Sequence, residues 1–437
     1  MIRRIKIEGY KSLAALEVNL EPLSLLFGPN AAGKSNFLDA LQLLSRTASS
    51  RTLKEAFAPP YRGTPLESFA FGVDGIKGLL AKESVAFSME VDVWLSQAVI
   101  ERVNQQIAEL KKSKPADGGA LPADRKPSFV RERYLRYRLG VEILPKSGIL
   151  RVRDEYLAAL NAAGEVTGKR KPFLELMGDR FHLRMEGQAH PTYYERYLDH
   201  TILSMPLYPP HHPHVAALRQ ELASWFFFYF EPRERMRAPN PVKEVRHIGL
   251  MGEELASFLN TLRVLDEPQF NAVEKSLHLI IPSITGIQVG VDNLGRVELQ
   301  IVEGGTPIPA SVVSEGTLRV LGLLALGGVK EPPALLGFEE PENGIHPRRL
   351  RMLAELLKNR VTGGDTQLIV TTHSPLLPDL LPADSLFVCR KEEGHTAVKP
   401  LPDAKPIYRQ ISVKKALDDE DEGPTVSERL LRGDFDA

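Results

Sequence analysis

The chain predicts an α/β fold with a mostly parallel central sheet, an N-terminal antiparallel β lobe and a mixed α/β insertion. Three observations carry this. The apolar run Leu23–Phe27 leads into the glycine loop Gly28-Pro29-Asn30-Ala31-Ala32-Gly33-Lys34-Ser35, and helical spacing follows at Phe37, Leu38, Leu41 and Leu44. Beyond residue 309, short buried-type runs at 334–338, 367–371 and 385–389 alternate with helical patterns at 316–326 and 347–358, as in a sheet covered on both faces. Residues 85–93 and 131–144 alternate apolar and polar side chains with period two, the pattern of half-buried strands.

Composition narrows the class. A length of 437 residues allows two to three domains. The hydrophobic and charged fractions, 43% and 25%, are those of a soluble globular protein, and a net charge of −1 gives no global field toward nucleic acid or membrane. The single cysteine, Cys389, sits in an apolar run and reads as a small buried hydrophobe. No intramolecular disulfide can form, which suits a reducing cytoplasm. The N-terminus alternates charge with Ile and reads as a strand, not a signal peptide. No apolar run reaches membrane-spanning length; residues 225–230 are intensely aromatic but far too short. A cytoplasmic protein without a membrane partner is expected.

In order, 3–8 and 15–20 read as strands before the glycine loop, and 46–80, rich in Pro, Gly and Ser, as irregular surface. Residues 96–112 read as a helix with Val99, Ile100, Val103, Ile107 and Leu110 on one face, and 113–126 as a flexible loop. In 131–144, Arg131, Arg133, Leu135, Tyr137, Leu139, Val141 and Ile143 share one parity; Tyr134, Arg136 and Arg138 share the other. Residues 100–190 carry an excess of about six basic side chains, which fits a solvated surface or a nucleic-acid or partner surface. The loop at 206–214 ends in Pro209-Pro210-His211-His212-Pro213-His214; without Cys or helical His spacing its metal reading is weak. Residues 225–230 read as a core strand, 253–262 and 268–279 as helices, 287–291 and 297–302 as a hairpin, and the acidic run 418–422 as a solvated linker.

The glycine loop matches G-x-x-x-x-G-K-[ST], the phosphate-binding P-loop. Gly28 and Gly33 let the backbone aim N–H groups at a phosphate, beside the positive end of a helix. Lys34 would reach the β- and γ-phosphates, and the Ser35 hydroxyl would bind Mg²⁺. Glu339 and Glu340 follow the apolar run 334–338. The first would hold Mg²⁺ through its waters; the second would deprotonate the attacking water. Ser314-Glu315-Gly316-Thr317 opens an apolar helix, either as a phosphate cap or as a plain N-cap. His373, in Thr371-Thr372-His373-Ser374-Pro375, falls at a strand's carboxyl end, where it could meet a γ-phosphate.

Together these stretches resemble the ATP-binding-cassette set. The chain resembles the SMC/RecF/OLD-type branch of ATPases, and more narrowly the stand-alone bacterial AAA-family ATP-binding proteins related to the ATPase half of OLD nucleases. The matching residues are Ile5-Lys6-Ile7-Glu8-Gly9-Tyr10-Lys11-Ser12-Leu13, the P-loop with Asn36, Ser314-Glu315-Gly316-Thr317-Leu318-Arg319, Glu339-Glu340-Pro341-Glu342-Asn343-Gly344-Ile345-His346-Pro347, and the stretch around His373. The resemblance covers 1–45 and about 245–400, and hardly touches 95–240. It departs at Glu339, where the family usually has Asp.

The resemblance implies an ABC-type head made from 1–95 and 246–437, with an insertion over 96–245 as a candidate partner or DNA surface and an acidic C-terminal tail. It implies ATP and Mg²⁺ as cofactors, and two heads paired head to tail. Ser314 and Gly316 would then touch the γ-phosphate held by the partner's Lys34. Glu340 would be the base, His373 the switch histidine, and 342–346 the stretch crossing the interface. Lys11 would approach the nucleotide.

The function expected is a dimeric, or higher-order, ATPase of DNA maintenance or anti-phage defence. It would act with a separate nuclease or toxin, and with DNA left open as a ligand. An ATP-sensing scaffold with slow turnover is the alternative. A transporter subunit fits poorly, because nearly two-thirds of the chain separates Gly28 from Ser314. The stretch between them is too short and too poor in heptads for a long coiled coil. The roughly sixty residues after His373 are too few for a Toprim nuclease domain.

Overall fold

A computed structural model of the chain describes residues 1–112, 129–168, 170–186, 190–326, 333–364, 366–401 and 425–435. The loop expected over 113–126 and the acidic run 418–422 lie outside them. The chain opens with β1 (Ile2–Tyr10), β2 (Leu13–Asn19) and β3 (Leu23–Phe27), then α1 (Lys34–Ser49), α2 (Leu53–Ala56) and α3 (Gly75–Leu80). It continues with β4 (Val85–Trp94), α4 (Gln97–Lys112), β5 (Tyr134–Leu144), β6 (Ile149–Ala159), β7 (Leu174–Met177), β8 (Arg180–Arg184) and β9 (Pro191–Glu195). Next come α5 (Pro213–Ala223), β10 (Trp225–Phe228), β11 (Asn240–Pro241), α6 (Leu255–Leu265) and α7 (Glu267–Ile280). A β12 (Ile284–Val291), β13 (Arg296–Glu303) and β14 (Thr306–Pro309) meander precedes α8 (Glu315–Ala325) and β15 (Leu335–Glu339). The described chain ends with α9 (Leu350–Thr362), β16 (Gln367–Thr372), β17 (Leu386–Glu392), β18 (His395–Pro400) and α10 (Val426–Leu431).

Two compact units emerge. The first comprises Met1–Pro22, Ala31–Trp225 and Cys389–Lys399; the second comprises Leu23–Asn30, Phe226–Val388 and Pro400–Ala437. The first unit contains an antiparallel sheet in the order β2-β1-β4-β5-β6-β7-β8-β9. Its alternation holds as expected: Leu135, Tyr137, Leu139, Val141 and Ile143 are buried. On the opposite face Arg136 pairs with Asp92 at 2.6 Å and Arg138 with Asp154 at 2.7 Å, while Arg4 lies 2.8 Å from Glu90. Acids on neighbouring strands thus meet the basic parity. Strands β6 to β9 continue the sheet through a stretch that sequence pattern leaves without elements. The segment 46–80, expected to be irregular, instead carries the rest of α1, then α2 and α3.

In the second unit the central strands are parallel: β15 with β16, β16 with β3, and β3 with β17. All five residues of β3 are buried, as a strand covered on both faces requires. Helices α6 to α9 and the β12–β13 hairpin share one apolar core with these strands, including Leu25, Leu259, Leu277, Leu321 and Val370. Phe435, after α10, is part of the same core and meets Phe27 edge-on at 5.5 Å. Among the described residues no helix is long and apolar enough to cross a membrane.

Candidate active site

Strand register brings three sequence motifs to one edge of the second unit. Glu339 lies beside Thr371, and Thr372 beside Phe27, in parallel ladders. The carboxyl ends of β15, β16 and β3 are therefore level, and they deliver Glu340, His373 and Gly28 to the edge where ligands bind in sheets of this kind. Glu340 turns off the strand with φ of 49°, while its N–H still donates to the Thr371 carbonyl at 2.9 Å. Its Oε1 lies 2.9 Å from Nε2 of His373, and its Oε2 accepts from the Asn343 amide. The expected base and the switch histidine are thus in direct contact. A cavity of about 380 Å³ opens beside them, lined by Gly28, Pro29, Asn30 and residues 372–375, with Leu430 and Leu431 of α10.

The same edge holds a residue that the sequence reading named only as part of an interface stretch. Glu342 is buried, and its Oε1 accepts from the Thr372 hydroxyl at 2.5 Å, the His373 N–H at 3.2 Å and the Ser374 N–H at 3.3 Å. Burial pushes its carboxyl upward, against the lowering effect of these hydrogen bonds. A third acid so soon after a strand end is the only sequence sign of it.

Ser314 caps α8: its Oγ accepts from Thr317 N–H at 3.2 Å and lies 2.8 Å from Thr317 Oγ1. The plain-cap reading is thereby realised within the chain. Gly316 admits no side chain, since a Cβ there would sit 2.1 Å from the Gly344 carbonyl oxygen.

The remainder of the P-loop belongs to the first unit. Helix α1 begins at Lys34, with Gly33 as N-cap at φ 102°. That conformation needs glycine, and a Cβ would also fall 2.0 Å from Thr396 Oγ1. Lys34 is buried and Asn36 partly so. A directed relay supports the loop. The Thr396 hydroxyl donates to the Ala32 carbonyl at 2.7 Å, so it must accept from Ser12 Oγ at 2.7 Å, which itself accepts from the Asn36 amide at 2.8 Å. Sequence gave no sign of Thr396, which is 364 residues from its partner in the loop. Ala31 takes φ of 60°. Cys389 is buried with its Sγ 3.5 Å from the Ala32 carbonyl, and burial pushes the thiol up to about 12, so it is inert as expected.

Lys11 takes φ of 45° and donates to Asp39 at 2.7 Å and to the Arg62 carbonyl at 3.1 Å. Asp39 lies one helical turn after Ser35, so Lys11 engages the face of α1 that carries Ser35. Burial lowers its ammonium below the usual lysine range, and Asp39 opposes that shift. The histidine loop is structural. His214 is buried in α5, with Nδ1 2.7 Å from Glu186 and Nε2 accepting from the N–H groups of Arg131 and Glu132. Among the described residues no cluster of three or more His, Cys, Asp or Glu is arranged to hold a metal.

The fold and the motif order define a class, an α/β P-loop ATPase head. Residues 1–118 match the family model described as "AAA ATPase domain", and residues 189–379 the model described as "AAA domain, putative AbiEii toxin, Type IV TA system". These matches liken the two stretches, which carry the P-loop and the acids at the end of β15, to AAA-type ATPase domains. No curated protein sequence matches it. Among solved structures, an SMC head bound to the C-terminal winged-helix domain of ScpA is similar at 12% identity and a TM-score of 0.46, over 92% of this chain and 99% of that one. The SMC head domain from Thermotoga maritima is similar at 13% identity and a TM-score of 0.38, over 92% and 98%. An SMC head with extended coiled coil, bound to a ScpA domain derived from Pyrococcus furiosus, is similar at 10% identity and a TM-score of 0.44, over 91% and 95%.

Proposed function

We propose that the chain binds ATP with Mg²⁺, hydrolyses it to ADP and phosphate, and does so as a head-to-tail dimer. Its setting in this reading is bacterial anti-phage defence or DNA maintenance, with a separate nuclease or toxin as effector. The observation that carries the hydrolytic reading is the contact between Glu340 and His373 at the carboxyl edge of β15 and β16, level with the strand that opens the P-loop. Lys34 and the P-loop amides bind the phosphates. Ser35 and Glu339 are oxygen donors of the kind Mg²⁺ takes, and the metal would neutralise charge on the β- and γ-phosphates. Glu340 takes the proton of the attacking water, and His373 orients that carboxylate and meets the γ-phosphate. Ser314 and Gly316 close the site from a second copy.

Two variants test this. Lys34→Ala is expected to lose ATP binding. Glu340→Gln is expected to bind ATP normally while kcat falls by about 10²-fold or more, because the general base is gone. On size exclusion with ATP, Glu340→Gln should run as a dimer. Unimpaired turnover in Glu340→Gln would remove it as the base. A second reading is a scaffold that senses ATP and restrains a partner. In cells a scaffold should tolerate Glu340→Gln and fail with Lys34→Ala, whereas a motor-like ATPase should fail with both.

A further inference from the structure

Residues 340–344 form a tight turn, closed by Asn343 N–H to the Glu340 carbonyl at 3.2 Å and Ile345 N–H to the Glu342 carbonyl at 2.9 Å. Every side of this turn is used. Its first residue holds His373 through a carboxylate, and its last presses a carbonyl onto Gly316 at the start of α8. Its third, Glu342, grips the backbone on both sides of the His373–Ser374 peptide together with Thr372. The second carboxyl oxygen of Glu342 is buried with no hydrogen-bond partner. A buried carboxyl with one bare oxygen is costly, and an apolar side chain of similar size would cost less. Stability alone therefore does not account for an acid at this position.

We infer that Glu342 is a positioning residue for hydrolysis: its buried carboxyl fixes the His373 backbone relative to the turn that carries Glu340, so that base and switch histidine stay in register. The inference rests on the ATPase reading above. Without Glu342, three donors at 372–374 lose their common acceptor, and the link between the turn and this stretch is reduced to the Glu340 N–H bond to the Thr371 carbonyl and the Glu340–His373 side-chain contact among the bonds described. ATP binding uses other residues and should persist.

The test compares the parent protein with Glu342→Ala, Glu342→Gln and Thr372→Val. Glutamine keeps an oxygen that can accept all three bonds, and Thr372→Val removes one donor with little change of shape. In Glu342→Ala, kcat is expected to fall at least tenfold with KM for ATP within twofold. Amide hydrogen exchange over 371–375 should rise by a similar factor without a global rise. Glu342→Gln should restore both to near parent values, and Thr372→Val should fall between. A Glu342→Ala protein with parental kcat overturns the inference while leaving the ATPase reading intact. Equal losses in Glu342→Ala and Glu342→Gln also overturn it, since hydrogen-bond acceptance is then not what matters. A parent protein that turns over no ATP overturns the ATPase reading and this role with it.

Discussion

Glu155 is a carboxyl group sealed inside the first unit, where Oε1 accepts from the Tyr137 hydroxyl at 2.9 Å and Leu203 N–H at 3.0 Å, and Oε2 from Ile202 N–H at 2.7 Å. Burial outweighs these donors and raises its pKa to about 7. A raised folded-state value means that its contribution is fully present below the ordinary glutamate range and is lost as pH climbs through about 7. The loss is at most about 3 kcal/mol. In Glu155→Gln the amide NH₂ takes the place of the O–H that the protonated parent carboxyl carries. The variant should therefore match the parent in stability at pH 5 and be the more stable of the two by pH 8, where the parent has lost its contribution. Denaturant unfolding at both pH values measures this; parallel pH courses would show that Glu155 does not titrate as described. Single residues also show what sequence leaves open: the metal reading of the His loop is weak from sequence alone, but the actual use of the His214 ring, on Glu186 and two backbone amides, depends on chain 28 and more residues away.

At the scale of elements, legibility follows how local the cause is. The P-loop, β15 with its two acids, and the stretch after β16 stand out in the sequence because each is a short run of adjacent residues, and the structure places them at strand ends as the pattern suggests. The supports do not, because they join segments far apart in sequence. The relay from Asn36 through Ser12 and Thr396 to Ala32 ties α1, the β1–β2 turn and β18 to one loop. Thr396→Val keeps the shape but leaves the Ala32 carbonyl and the Ser12 hydroxyl short of a partner, at a cost of about 1–3 kcal/mol in buried surroundings. Nucleotide affinity should fall severalfold, and Thr396→Ser should recover most of it; calorimetric titration with ADP reads both. Unchanged affinity in Thr396→Val would make the relay irrelevant to binding. Other elements were missed for their own reasons. Helix α5 starts at Pro213, a favoured first helical position, inside what reads as a Pro/His loop. Strands β7 to β9 are only four or five residues long, too short for a period to stand out from sequence. Gly316 is a case where local letters said less than packing. Gly316→Ala must push α8 from the Gly344 carbonyl, and should cost about 1–3 kcal/mol in stability by thermal unfolding.

At the scale of the whole molecule the question is whether one chain contains a complete site. Ser314 spends its hydroxyl on its own helix, as an N-cap to Thr317, and an N-cap leaves the remaining amides of that first turn directed outward toward any phosphate presented to them. In a head-to-tail dimer each site would combine Lys34 of one copy with Ser314 of the other, and this has a stoichiometric consequence that a self-contained site lacks. Lys34→Ala removes the phosphate ligand from one side. Ser314→Arg blocks the other side, at a loss of about 1 kcal/mol for the helix cap. Each variant alone should be inactive. Mixed one to one and allowed to exchange, half of the dimers become heterodimers, and in those one site carries both defects while the other carries neither. ATPase activity should return to about a quarter of the parental value. Sites complete within one chain would instead leave the mixture as inactive as its parts, because Lys34→Ala and Ser314→Arg would then each disable every site in their own chain.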